Sequence, residues 1–176
     1  MKPSFRTLVP SLALLLASAG AATGAAAQSG PALDTLRTRA ERTDYVETTR
    51  YAEVVAFLEE VAAASPRAHL ATMGYTSEGR AIPLLVVGDV ADASPEAVRA
   101  SGKLRVYLQG NIHGGEVPGK EALLMLVRDL LREGGTRWTE ELVLLVAPVY
   151  NADGNERVTL TNRPRQNGPL GGMGQR

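Results

Sequence analysis

The sequence predicts an α/β protein: a mixed sheet flanked by helices in a sandwich left incomplete (truncated) within 176 residues. Three observations predict it. Tyr51, Val54, Val55, Leu58, Val61 and Ala62 recur at spacings of three and four, the period of an amphipathic helix. Residues 104–147 read as strand, helix, strand, which implies a parallel pair joined by a right-handed crossover. Leu142 to Val146 is an unbroken apolar run, as expected of a strand buried on both faces.

In chain order, residues 1–27 have the plan of a secretory signal peptide. Lys2 and Arg6 precede an apolar stretch from Leu8 to Ala17, and small residues ending in Ala25-Ala26-Ala27 supply a cleavage site. The stretch is shorter than the ~20 residues a spanning helix needs, so the expected address is secreted or periplasmic, with no membrane attachment after cleavage. Residues 28–48 are polar and mixed in charge, a lead-in with one short helix around Leu33 to Arg42. The domain proper is expected over 49–176.

Its first helix, from Tyr51, is stopped by Ser65-Pro66. A strand follows over His69 to Tyr75, a turn at Glu78-Gly79, and a buried strand over Ile82 to Val87, with Pro83 tolerated at its start. Val90 to Ser101 is a polar excursion with room for one helical turn after Ser94-Pro95. Leu104, Val106 and Leu108 alternate with Arg105 and Tyr107, so Leu104 to Gln109 is a strand. Pro118 to Arg132 is a helix presenting Leu123, Leu124, Val127, Leu130 and Leu131 inward; proline suits its first turn because the missing N–H has no partner there. After the apolar strand the chain reads as loop to its end: a turn at Asn151-Ala152-Asp153-Gly154, then Asn162-Arg163-Pro164-Arg165 and a glycine-rich piece with no means of closing a domain.

Composition excludes some functions. Lys plus Arg and Asp plus Glu both number 19, and removing residues 1–27 takes away only Lys2 and Arg6, leaving a slight acidic excess. A nucleic-acid binder would carry a basic footprint. With no cysteine, an exported chain must rely on its core, with or without a metal, in place of disulfides. At 44% apolar residues that core is available.

Chemistry concentrates in Gln109-Gly110-Asn111-Ile112-His113-Gly114-Gly115-Glu116, between a strand's carboxyl end and a helix, where open α/β sheets bind ligands. An imidazole and a carboxylate three residues apart, with two glycines between, can converge on one cation, and the donor pair suits Zn2+. Glu116 could equally serve as an acidic group at the start of the following helix. Arg163 and Arg165 can bind carboxylates or stabilise an oxyanion; two loop arginines are also what a solvated surface carries. His69, the other histidine, reads as a surface or edge residue.

Taken together, four segments resemble the zinc carboxypeptidases of the carboxypeptidase A type. Tyr75-Thr76-Ser77-Glu78-Gly79-Arg80 with the strand after it resembles that family's first hairpin. Gly110 to Glu116 resembles its His-x-x-Glu zinc segment, Pro148 to Gly154 its "N-P-D-G" turn, and Asn162 to Arg165 its arginine-bearing loop. The resemblance covers residues 50–167 and implies a three-layer sandwich. It implies that His113 and Glu116 are zinc ligands and that Arg163 or Arg165 stabilises the oxyanion. The family's arginines stand three apart and these stand two apart, so the resemblance does not choose between them. Gly115 stands where digestive members often carry Arg. The implied reaction is removal of a C-terminal residue from a peptide or peptide-like substrate by zinc-activated water.

The family's third zinc ligand, substrate-carboxylate Asn-Arg pair, lid tyrosine and general-base glutamate have no counterparts after Arg165, so this chain is expected to be the front part of a longer enzyme and inactive alone. Two other readings stay open: a zinc-dependent amidase or deacylase on the same scaffold, and a non-catalytic exported binding module.

Overall fold

A computed structural model describes residues 31–132 and 137–175. The expected signal peptide lies outside the described residues. Among those described, no helix is long and apolar enough to cross a membrane.

The segment expected as a lead-in folds as two short helices, α1 (Pro31–Thr35) and α2 (Arg39–Arg42). A capping box divides what the sequence suggests as one helix. The Glu41 N–H donates to Thr38 Oγ1 at 3.2 Å, and the Thr38 N–H donates to Glu41 Oε2 at 2.8 Å. Leu33 and Leu36 sink into the main core.

Helix α3 (Tyr51–Ala64) starts where the Glu53 carboxylate accepts from the Arg50 N–H at 3.0 Å. Val54, Leu58 and Val61 are buried as their spacing implies, and Phe57 takes the inward place expected of Val55. Strands β1 (Ala68–Tyr75) and β2 (Ala81–Val87) form an antiparallel hairpin whose register slips between Thr72 and Gly74. Pro83 is tolerated because β2 pairs on its other side only through Leu85–Val87.

Helix α4 (Pro95–Ala100) is capped by Ser94, whose Oγ accepts from the Ala97 N–H at 3.1 Å. Strand β3 (Leu104–Gln109), helices α5 (Val117–Arg132) and α6 (Arg137–Glu141) and strand β4 (Leu142–Ala147) follow. The chain then forms α7 (Ala152–Glu156), a one-turn helix where the sequence reads as a plain turn. Asn151 makes the difference: its Oδ1 accepts from the Gly154 N–H at 2.8 Å and caps the turn.

The sheet is mixed, in the order β1-β2-β4-β3, with β3 and β4 parallel from Leu104↔Leu142 to Gln109↔Ala147. Leu144 and Val146 of β4 join the larger core with α1, α3 and α5. Val143 and Leu145 point to the other face and pack with Val86 and Val98 of α4. Helices therefore cover both faces, and β4 is apolar on both sides because it is internal. Strand β3 has one paired neighbour among the described residues and leaves Leu104 68% exposed.

Helix α5 also buries three charged residues. Lys120 Nζ donates to Thr49 O and to Asn155 Oδ1. Glu121 accepts from Thr48 Oγ1 at 2.8 Å and from the Thr49 N–H and Oγ1 at 2.7 Å each. Arg128 pairs with Glu41 at 2.7 Å and donates to Leu36 O at 3.1 Å. These bonds clasp residues 36–49 to α5 and explain how so polar a segment lies against a core: its polar atoms are paired.

Candidate metal centre

The parallel pairing of β3 and β4 sets the site. The ladder continues past both strands: Gly110 N–H to Ala147 O at 3.0 Å, Tyr150 N–H to Gly110 O at 3.2 Å, Asn151 N–H to Asn111 O at 3.0 Å. The loop after β3 and the loop after β4 therefore leave the sheet side by side. Gly110 permits the next step. A Cβ there would lie 2.9 Å from Pro148 O and 3.0 Å from the Gly119 backbone, so only glycine lets α5 start this close to the strand ends.

Between Gly110 and α5 the chain makes one tight turn. Asn111 adopts φ 55, the left-handed region that asparagine tolerates better than most residues. Its Nδ2 donates to Gly114 O at 3.0 Å, and the Glu116 N–H donates to His113 O at 2.9 Å. The turn brings His113 Nδ1 to 2.7 Å from Glu116 Oε1, with Nδ1 donating, while the His113 N–H donates to Glu116 Oε2 at 3.3 Å. Both side chains are nearly half exposed. The His113 hydrogen bond holds the Glu116 carboxyl below the usual carboxylate range.

The two arginines part company. Arg165 is exposed. The Arg163 side chain is 8% exposed, lies against Gly115, and brings Nη2 to 3.9 Å from Glu116 Oε1. Its Nη1 donates to Gln166 Oε1 at 3.2 Å, while Nε and Nη2 are buried without a partner. Asn162, which sequence reasoning left without a task, holds this loop: its Nδ2 donates to Arg157 O at 2.6 Å and Met173 O at 2.7 Å. The glycine-rich piece, expected only to have no means of closing a domain, packs at the site. Met173 bridges to Thr159, and the Gln175 N–H donates to Gly154 O at 2.8 Å. Gly114, Gly154 and Gly174 meet backbone to backbone, which any side chain there would prevent.

An open cleft of about 640 Å³ adjoins the turn, lined by Gln109, Asn111, Glu116, Gln166, Asn167 and Met173. His69 is remote from it; it sits on the edge strand β1 with Nε2 donating to Val90 O at 3.0 Å.

An imidazole nitrogen and a carboxylate oxygen in direct contact on one turn form a donor pair suited to zinc, the shared proton standing where a cation would. No group of three or more His, Cys, Asp or Glu side chains comes together among the described residues. The pair is thus short of the three protein ligands that catalytic zinc usually takes.

The zinc carboxypeptidase family profile matches residues 54–169, which include the turn, the Asn151-capped helix and Arg163. The chain belongs to the zinc carboxypeptidase family. Among curated relatives, Carboxypeptidase 2 of Trichophyton rubrum is 38% identical over 84 residues, 46% of this chain and 15% of that protein. Carboxypeptidase 2 of Trichophyton tonsurans is 37% identical over 81 residues, again 15% of its length. Among solved structures, the carboxypeptidase A of Helicoverpa armigera superposes with a TM-score of 0.55 at 21% identity, covering 82% of this chain and 33% of that one. Bovine thrombin-activatable fibrinolysis inhibitor, solved with a tick carboxypeptidase inhibitor, gives 0.54 at 16% identity, covering 76% and 38%. These likenesses establish the carboxypeptidase fold, and the chain spans about a third of those structures.

Proposed function

We propose that the protein carrying this chain is an exported zinc-dependent carboxypeptidase that hydrolyses the C-terminal bond of a peptide or peptide-like substrate. In this reading the 176 residues supply two zinc ligands and the oxyanion arginine, and are inactive alone. One observation carries it: His113 and Glu116 meet at 2.7 Å, and the Arg163 side chain, with Nε and Nη2 buried and without hydrogen-bond partners, stands beside the same carboxylate. Bound zinc would polarise the substrate carbonyl and lower the pKa of a water.

The chain's own residues do the rest of the work assigned here. His113 and Glu116 would hold the ion. Arg163 presents a guanidinium, already desolvated, to the negative charge that develops on the carbonyl oxygen, where such a group is worth more than in water. The reading also requires a third ligand and a general base in addition to these residues. Export rests on the signal-peptide pattern of residues 1–27.

The test uses the full-length protein, with zinc content measured beside hydrolysis of an N-blocked dipeptide. His113→Ala should lose the zinc. Arg163→Ala should keep it and lose about 10²–10³-fold in kcat, the usual cost of one oxyanion donor, while Arg165→Ala should stay close to wild type. Stoichiometric zinc retained in His113→Ala would defeat the reading, and equal effects at the two arginines would defeat the assignment to Arg163.

A further inference from the structure

Among the described residues, the buried side-chain polar atoms without a hydrogen-bond partner are Asn111 Oδ1, Arg163 Nε and Arg163 Nη2. Both side chains rest on one turn, His113 to Glu116: Asn111 through Gly114 O, Arg163 against Gly115 and Glu116. Buried polar groups are nearly always paired, so unpaired ones gathered at one place call for an explanation in function. Arg163 has one in the proposed reaction; Asn111 does not.

The backbone alone does not account for Asn111. Its φ of 55 is a conformation glycine adopts at less cost. The position instead carries an amide that is 3% exposed and committed to Gly114 O, the carbonyl lying between the two proposed ligands. The Asn111 carbonyl also accepts from the Asn151 N–H, joining the turn to the loop after β4. We propose, on the footing of the zinc reading above, that Asn111 is a positioning residue of the metal centre. Its side-chain amide holds the His113–Glu116 turn in the shape that presents both ligands to one ion, and its Oδ1 is left to accept a hydrogen bond from a donor in the occupied site. Removing a group that orients a ligand in this way typically costs about 10- to 100-fold in metal affinity or activity.

The experiment titrates the full-length apoprotein with zinc against a chromophoric chelator, with apoprotein melting and the visible spectrum of the cobalt(II)-substituted protein measured in parallel. Asn111→Gly keeps the left-handed backbone and removes the amide; Asn111→Asp keeps the shape and replaces the donor by a carboxylate oxygen. Asn111→Gly should weaken zinc binding by about tenfold or more, with the apoprotein melt little changed, and both variants should alter the cobalt spectrum. Zinc affinity within about threefold of wild type and an unchanged cobalt spectrum in both would overturn the inference, as would a lowered apoprotein melt with affinity intact. His113→Ala separates the two levels. If it loses zinc while Asn111→Gly does not, the positioning role falls alone; if it keeps zinc, the metal reading falls with it.

Discussion

Glycine 115 shows how little room the centre allows at the level of one residue. A Cβ at that position would lie 2.8 Å from Arg163 Nε and 2.6 Å from Gly174 O. The arginine is held flat on the turn by the absence of a side chain, and Asn162 holds the loop that delivers it. Gly115→Ala should therefore displace Arg163 while leaving the His113 and Glu116 side chains, the proposed zinc ligands, in place. On the proposed reading, the full-length protein should lose up to about 100-fold in kcat/KM with zinc content unchanged. An unaltered rate in a zinc-replete variant would mean that Arg163 moves freely or does no work. The sequence draws attention to Arg163 and Arg165 alike; only Arg163 is buried beside Glu116.

At the level of elements, the site depends on how three loops are clamped to one another. Asp153 of α7, read from the sequence only as part of a turn, anchors the β1–β2 hairpin. It accepts from Thr76 Oγ1 at 2.8 Å, Ser77 Oγ at 3.3 Å, the Glu78 N–H at 3.2 Å and Arg80 Nη1 at 2.6 Å. Burial works against its ionisation, but the Arg80 guanidinium and the other donors outweigh it and hold the carboxyl below the ordinary aspartate range. This contribution is present above the unfolded pKa and lost as pH falls through the lower folded value. Asp153→Asn should destabilise by about 1.5–3 kcal/mol at neutral pH, the range for hydrogen bonds to a charged group, and the difference from wild type should shrink in acid. Urea melts at several pH values would measure both. Aspartate in a turn is commonplace, and nothing local to residues 151–154 announces a partner some 75 positions earlier.

For the whole molecule, the buried polar network around α5 decides how the N-terminal segment, the helix and α7 hold together. Lys120 is fully buried, and burial pushes its ammonium down to about 8. Between that value and the ordinary lysine range the unfolded chain binds a proton that the folded chain has released, so stability rises with pH across this window. Lys120→Met removes that rise, leaves Asn155 Oδ1 without its donor, and takes the cationic partner from Thr49 O and Glu121. The variant should melt below wild type at pH 7, by about 1–3 kcal/mol for each buried group left unpaired, and should lack the wild-type gain between pH 8 and 10. Parallel pH-dependent melts would show it, and curves of the same shape would place the titration elsewhere.

Much of this was legible from residues in order. Period-3.6 and period-2 patterns are local consequences of burying one face, so α3, α5 and the four strands could be read within a residue or two, and the strand–turn–helix context singled out His113 and Glu116. The clasp of residues 36–49 on α5 and the packing of the glycine-rich residues after Arg165 were not legible, because they are made of paired polar atoms and backbone contacts that leave no apolar period. Sequence by itself thus determined the family, the mixed α/β sheet and the two candidate ligands. Tertiary structure alone decided that Arg163 rather than Arg165 faces them, that Asn111 pins the turn between them, and that Lys120, Glu121 and Asp153 tie distant segments together. Each of those outcomes depends on distances across the fold, and a buried charge or amide takes its meaning from a partner that no local pattern can name.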